Sequence, residues 1–171
     1  MKPALRFTSL AAYLPSLGVS VAYFAFLALF LGVAAPLTPA PVNQGDKCFR
    51  CYRTIVWTRI AGEIVDRGGL AYKFRAPACM AQYMSEHPQP ADSLAGVFVA
   101  DYTSGLLVPV EHAWFVETVI DSWTGERDFA AFHMRGSAEA YARKEGASVV
   151  DWTGVMTEGA RRAREVTSLA D

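Results

Sequence analysis

The chain has 171 residues, 52% hydrophobic and 19% charged, with a formal net charge of −1. That length holds about one globular domain with an appendage, and the near-neutral balance lacks the basic footprint of a nucleic-acid-binding protein. Charge is also unevenly placed: after Lys2 and Arg6 no charged residue occurs until Asp46, so all 17 acidic residues lie beyond the first quarter of the chain.

Residues 16–35, SLGVSVAYFAFLALFLGVAA, match the roughly 20 apolar residues that cross a hydrocarbon core of about 30 Å. We expect residues 1–35 to be a single-pass N-terminal transmembrane anchor, with Pro36, Pro39 and Pro41 blocking continuation of the helix. Because Lys2 and Arg6 flank only the amino-terminal side, the N-terminus should face the cytoplasm and the folded part the periplasm or cell exterior. A cleaved signal peptide is the competing reading, since Gly32 to Ala35 are small. The apolar run is long for that role, and Pro36 and Pro41 would obstruct cleavage. Cys48 follows Gly45-Asp46-Lys47, not the small apolar residues of a lipoprotein site. Residues 36–46 then read as a stiff Pro-rich tether.

Residues 47–171 read as an α+β domain. The β-branched run Thr54 to Ile60 is expected as a strand, followed by Glu63 to Asp66, a Gly68-Gly69 turn and a strand over Leu70 to Arg75. Pro77 opens a helix that Pro88 and Pro90 end. Ala95 to Tyr102 is a buried-strand pattern, Thr103-Ser104-Gly105 a turn, and Leu106 to Val110, His112 to Ile120 and Phe129 to Phe132 are extended. Ser137 caps a helix stopped by Gly146, Ser148 to Trp152 forms a short strand, and residues 153–170 a terminal helix whose Arg161, Arg162 and Arg164 make a solvated face. Phe74 and Tyr83 are nine apart across a strand-to-helix junction, as are Phe132 and Tyr141. We therefore expect two ββαβ units, residues 47–102 and 103–152, each with a helix covering a small sheet.

Cys48-Phe49-Arg50-Cys51 is the strongest local signal, a C-x-x-C spacing that lets two thiolates meet at one soft cation or close into a disulfide. Tyr52, where haem attachment needs His, excludes that chemistry, and a closed zinc site would need a second pair where only Cys79 remains. Three readings stay open: a Cys48 to Cys51 disulfide with an inert buried Cys79, soft-metal binding, or thiol exchange with a pKa lowered by Arg50 or Arg53. Further soft donors are Met80, Met84 and His87, which share one helix face, and His133 with Met134 at the equivalent junction of the second unit. Methionines so placed are usually core filler. No G-x-S-x-G, H-E-x-x-H or Gly-rich phosphate loop occurs, and Cys79 and His87 lie about 12 Å apart along their helix, too far to pair. The chain is expected not to be an enzyme.

The order of these features resembles the NosL family, the accessory proteins of nitrous oxide reductase. The match runs from Cys48 to Trp152 and is most specific at Ala100-Asp101-Tyr102, Ala113-Trp114-Phe115-Val116 and Ser137 to Ala142 with Gly146. The resemblance implies two ββαβ units and a periplasmic protein that binds Cu(I) and passes it to a copper enzyme. Cys51 carries over by motif, and Cys48 with it. Tyr52-Arg53 stands where the family has Gly-Met, and Trp123-Thr124-Gly125-Glu126 where it has a Met-bearing turn. A cationic Arg53 beside a cationic metal is unfavourable unless its side chain points away. The leading expectation is an anchored Cu(I) metallochaperone using Cys48 and Cys51, with a third ligand from Met80, Met84, His87, His133 or Met134, delivering to a respiratory copper enzyme. The alternatives are a metal-free accessory subunit of a membrane respiratory complex and a thiol redox protein.

Overall fold

The computed structural model describes residues 38–88, 90 and 93–168. The expected span at 16–35 lies outside these residues, and among those described no helix is long and apolar enough to cross a membrane.

The first sheet grows around β1 (Gly62–Asp66), which is buried along nearly its whole length. Gly69, with φ +84°, reverses the chain, and the Asp66 carboxylate accepts the Leu70 N–H at 2.9 Å, so β2 (Ala71–Phe74) returns antiparallel. Pro77 then stands at the start of α1 (Pro77–Glu86), where a missing N–H costs nothing. β3 (Leu94–Ala100) pairs with the other edge of β1, and β4 (Leu107–Pro109) completes the order β2-β1-β3-β4. The second sheet repeats the plan. β5 (Trp114–Asp121) lies between β6 (Glu126–Phe132) and β7 (Val149–Val150), with α2 (Arg135–Glu145) inserted after β6. Gly146 ends α2 at φ +64°, a left-handed cap that glycine adopts without a Cβ penalty. α3 (Trp152–Ser168) follows.

Among the described residues, a mixed α+β architecture with two antiparallel sheets and three α-helices thus agrees with the expected class. The core draws Ile64, Phe74, Met80, Phe115, Phe129 and Val155 from both halves into one cluster, and Val116, Phe132 and Ala138 form a smaller one beneath α2. Phe74 and Phe132, the echoed positions, are both buried and each packs on its Tyr partner, at 5.3 Å and 5.2 Å between ring centroids. α1 and α3 touch through Gly159, where a Cβ would stand 2.6 Å from that of Ala81. Only a glycine admits this approach.

Several local expectations are corrected. Residues 54–60 form no strand of a sheet: Thr54 makes a single bridge to Lys47, Ile55 exchanges hydrogen bonds with the tether at Gly45 and Asp46, and Thr58–Ile60 is a 3₁₀ turn. Its β-branched residues serve burial, of Ile55 and Ile60, more than pairing. Residues 110–112 likewise form a 3₁₀ turn before β5. Ser137 sits inside α2, whose N-cap is Met134. Arg161 and Arg162 bind Glu158, and Arg162 also crosses to Glu117 at 3.2 Å, so this arginine cluster ties α3 to β5 and does more than face solvent. The tether is docked too, because the Ala40 N–H donates to the fully buried Glu63 carboxylate at 2.9 Å and Asp46 pairs with Lys73 at 2.7 Å.

Candidate metal centre

Residues 48–52 form a tight loop. The Tyr52 N–H closes on the Cys48 carbonyl at 2.9 Å, the Cys48 N–H on the Arg53 carbonyl at 2.9 Å, and the Phe49 N–H docks the loop on β2 through the Lys73 carbonyl at 2.7 Å. Closing it needs a left-handed residue, and Tyr52 takes that conformation at φ 58°, an uncommon choice for an aromatic side chain. The loop faces the first turn of α1, where Cys79 is the third helical residue. That turn is held in place by Asp128 of β6, whose buried carboxylate accepts the Ala78 N–H at 2.8 Å.

The result is a sulfur cluster. Cys48 and Cys79 stand 3.4 Å apart, and the three sulfurs of Cys48, Cys51 and Cys79 all lie within 4.8 Å of one another. Metal–thiolate bonds of about 2.3 Å in a trigonal arrangement require sulfurs about 4 Å apart, so the cluster fits a thiophilic ion closely. No two of the sulfurs are joined as a disulfide. Cys48 and Cys79 are buried while Cys51 is partly open, so access runs past Cys51.

The surroundings favour negative charge at Cys48. Its thiol is held far below the ordinary value, at about 5, first by the hydrogen bond from Cys79 and then by the backbone N–H groups of Cys51, Arg75 and Arg50, against the opposing cost of burial. Cys79 moves upward, because it donates to Cys48, is buried and faces a neighbouring negative charge. The two shifts are opposed, because the sulfurs share one hydrogen bond in a buried setting. Two guanidinium groups flank the cluster. Arg50 donates to Glu86 at 2.6 Å and also reaches the Cys79 sulfur, while Arg75 pairs with Glu126 at 2.9 Å and lies beside Cys51. Arg53 donates to Glu126 at 3.1 Å, the carboxylate that also holds Arg75. The Phe49 ring packs on Tyr72 at 4.7 Å and Tyr83 at 5.4 Å between centroids.

The other expected donors are distributed differently. Met80 is fully buried with its sulfur packed on Gly62, where a Cβ would meet it at 3.2 Å. Met84 is half-buried against the same core. His87, just past the end of α1, stacks on Tyr83 at 4.6 Å. His133 and Met134 are exposed at the start of α2, in the second half of the fold. Among the described residues, neither imidazole is in the cluster. The third sulfur is that of Cys79, which the sequence offers only as an odd cysteine. Its place at the first turn of a helix that follows β2 directly was the available signal, but nothing in the spacing says that residues 48–51 dock on that turn.

No protein-family model matches the chain, and no curated protein does. Among solved structures the fold is similar to the crystal structure of the copper chaperone NosL from Shewanella denitrificans, with a TM-score of 0.56 and 18% identity over 68% of this chain and 94% of that one. At that identity the likeness establishes a NosL-like fold.

Proposed function

We propose that this domain is a carrier of a soft metal ion, Cu(I), which it holds through Cys48, Cys51 and Cys79 and yields to a protein acceptor. The observation that carries this reading is the convergence of three sulfurs within 4.8 Å at a partly open position; the NosL-like fold adds to it. Thiolates are the donors Cu(I) prefers. Each thiol that becomes a ligand sheds its proton to solvent, and the surroundings of Cys48 favour its doing so. The metal–thiolate group is then anionic, and Arg50 and Arg75 offset its charge. Cys51, the most accessible of the three, is the ligand an incoming acceptor thiol or thioether displaces first, so transfer proceeds by exchange of ligands with no change of oxidation state. Anchoring by residues 1–35, with the domain outside the cytoplasm and a respiratory copper enzyme as acceptor, is the setting we propose for this activity.

The test is competition for Cu(I) between the reduced full chain in detergent and a chromophoric chelator. The parent should strip the chelator, and C79A should bind at least about 10-fold more weakly. A parent that takes no Cu(I) refutes the carrier reading; a C79A chain that binds like the parent removes Cys79 from the ligand set.

A further inference from the structure

The loop that carries Cys48 occurs twice. At residues 101–106 the Asp101 N–H donates to the Leu106 carbonyl at 2.8 Å, as the Cys48 N–H does to Arg53 at 2.9 Å. The Gly105 N–H closes on the Asp101 carbonyl at 2.7 Å, as Tyr52 does on Cys48 at 2.9 Å, and Gly105 takes the left-handed conformation, φ 78°, that Tyr52 takes at 58°. The Tyr102 N–H docks on the residue before Phe132, Ala131, at 2.7 Å, as Phe49 docks on the residue before Phe74, Lys73, at 2.7 Å. The aromatic packing is repeated as well. Tyr102 packs on Phe132 and Tyr141 at 5.6 Å and 5.3 Å, as Phe49 packs on Phe74 and Tyr83. Ser137 is the third residue of α2, as Cys79 is of α1. Asp101, Ser104 and Ser137 thus stand where Cys48, Cys51 and Cys79 stand.

The backbone N–H groups that surround the two side chains correspond residue for residue. Backbone N–H groups two and three residues on, from Arg50 and Cys51, together with that of Arg75 just after Phe74, converge on the Cys48 sulfur. In the second loop the N–H groups of Thr103 and Ser104, two and three residues on, together with that of His133 just after Phe132, converge on the Asp101 carboxylate, Ser104 at 3.0 Å and His133 at 3.1 Å. The Ser104 hydroxyl adds a bond at 2.7 Å. Donors turned inward on all these sides satisfy a carboxylate and leave no face for a cation.

We infer that the fold builds one anion cradle twice, and that the second copy, at Asp101, Ser104 and Ser137, is a latent soft-metal site, closed in this chain because a carboxylate of the protein itself fills it. The inference rests on reading the cysteines as a metal centre. It assigns the cradle a task separate from the metal: the backbone amides converge on the side chain at position 48 and seat it before any ion arrives, and Cys51 and Cys79 complete the site around it. The native chain accordingly carries one ion.

Two measurements test this. In a full chain bearing C48S, C51S and C79S, the substitutions D101C, S104C and S137C should install binding of about one equivalent of Cu(I) in competition with the chromophoric chelator. A folded graft that takes none, while the parent takes its own, overturns the inference. Separately, and with no metal present, C48D should unfold at a temperature no lower than C48A, because the cradle accepts a carboxylate at Asp101; a lower unfolding temperature for C48D also overturns it. If the graft does not fold, or if the parent binds no Cu(I) and the carrier reading falls, the C48D comparison alone decides whether the cradle holds an anion.

Discussion

Asp128 offers a quantitative test of how the second sheet positions the cysteine-bearing helix. Its side chain is buried in β6 and accepts the N–H groups of Ala78 and Phe129 at 2.8 Å and 2.7 Å. Burial outweighs these bonds and the nearby Arg162 and Arg75, and lifts its pKa from 3.8 to about 6. A carboxyl whose folded pKa is raised holds its proton more tightly in the native state. Its contribution is therefore fully present below about pH 4 and is lost as the pH climbs through about 6. A shift of about two units at 1.36 kcal/mol each costs the folded state about 3 kcal/mol at neutral pH. The D128N variant keeps one oxygen to accept both N–H groups and carries no charge. Urea unfolding at pH 7.5 should show D128N more stable than the parent by up to about 3 kcal/mol, with the gap shrinking towards zero at pH 4. A D128N chain less stable than the parent at pH 7.5, or a gap independent of pH, would refute the reasoning.

Three further outcomes follow from local geometry. G159A places a Cβ 2.6 Å from that of Ala81 and 2.8 Å from the Ala81 carbonyl carbon. It should destabilise the fold by about 1–3 kcal/mol in urea and weaken Cu(I) binding, because α1 carries Cys79. Tyr52 is held left-handed and its side chain is exposed, so Y52G should leave the unfolding midpoint unchanged or raise it whereas Y52V should lower it, β-branched residues being the worst fit there. F74A empties a fully buried position and should cost about 3–5 kcal/mol in the same assay.

The repeat was legible because it rests on punctuation that physics enforces: a proline that starts α1, a glycine that ends α2, and aromatics nine apart across each strand-to-helix junction. The C-x-x-C was legible for the same reason, being local. What sequence spacing could not supply is long-range. Cys79 joins the cluster only because the Phe49 N–H docks on Lys73 and thereby lays residues 48–51 across the first turn of α1. His133 and Met134 looked equivalent to that junction and are so in the fold, yet their junction faces the second loop, where the His133 N–H bonds Asp101. The run at 54–60 misled because β-branched residues that bury against a core and those that pair in a sheet have the same letters.

The arginines settle a tension that the sequence poses. Cations beside a bound cation are unfavourable, and three lie within or next to the C-x-x-C region. Each is matched with a carboxylate: Arg50 with Glu86, and Arg53 and Arg75 together with Glu126. Arg75 also faces the Asp128 carboxylate and Arg53 that of Asp121, so the charge of this rim is compensated within the protein. A guanidinium would repel a bare metal ion placed beside it, but on the proposed reading the occupant is an ion wrapped in thiolates, and its net charge is negative. Arg75 lies beside Cys51 and Arg50 reaches Cys79, so a guanidinium stands at each of these two sulfurs, while Cys48 is served by backbone amides. Neutralising Arg50 should therefore weaken Cu(I) binding and leave the seating of Cys48 intact, and an R50Q chain with undiminished affinity would show that the guanidinium serves only its ion pair with Glu86.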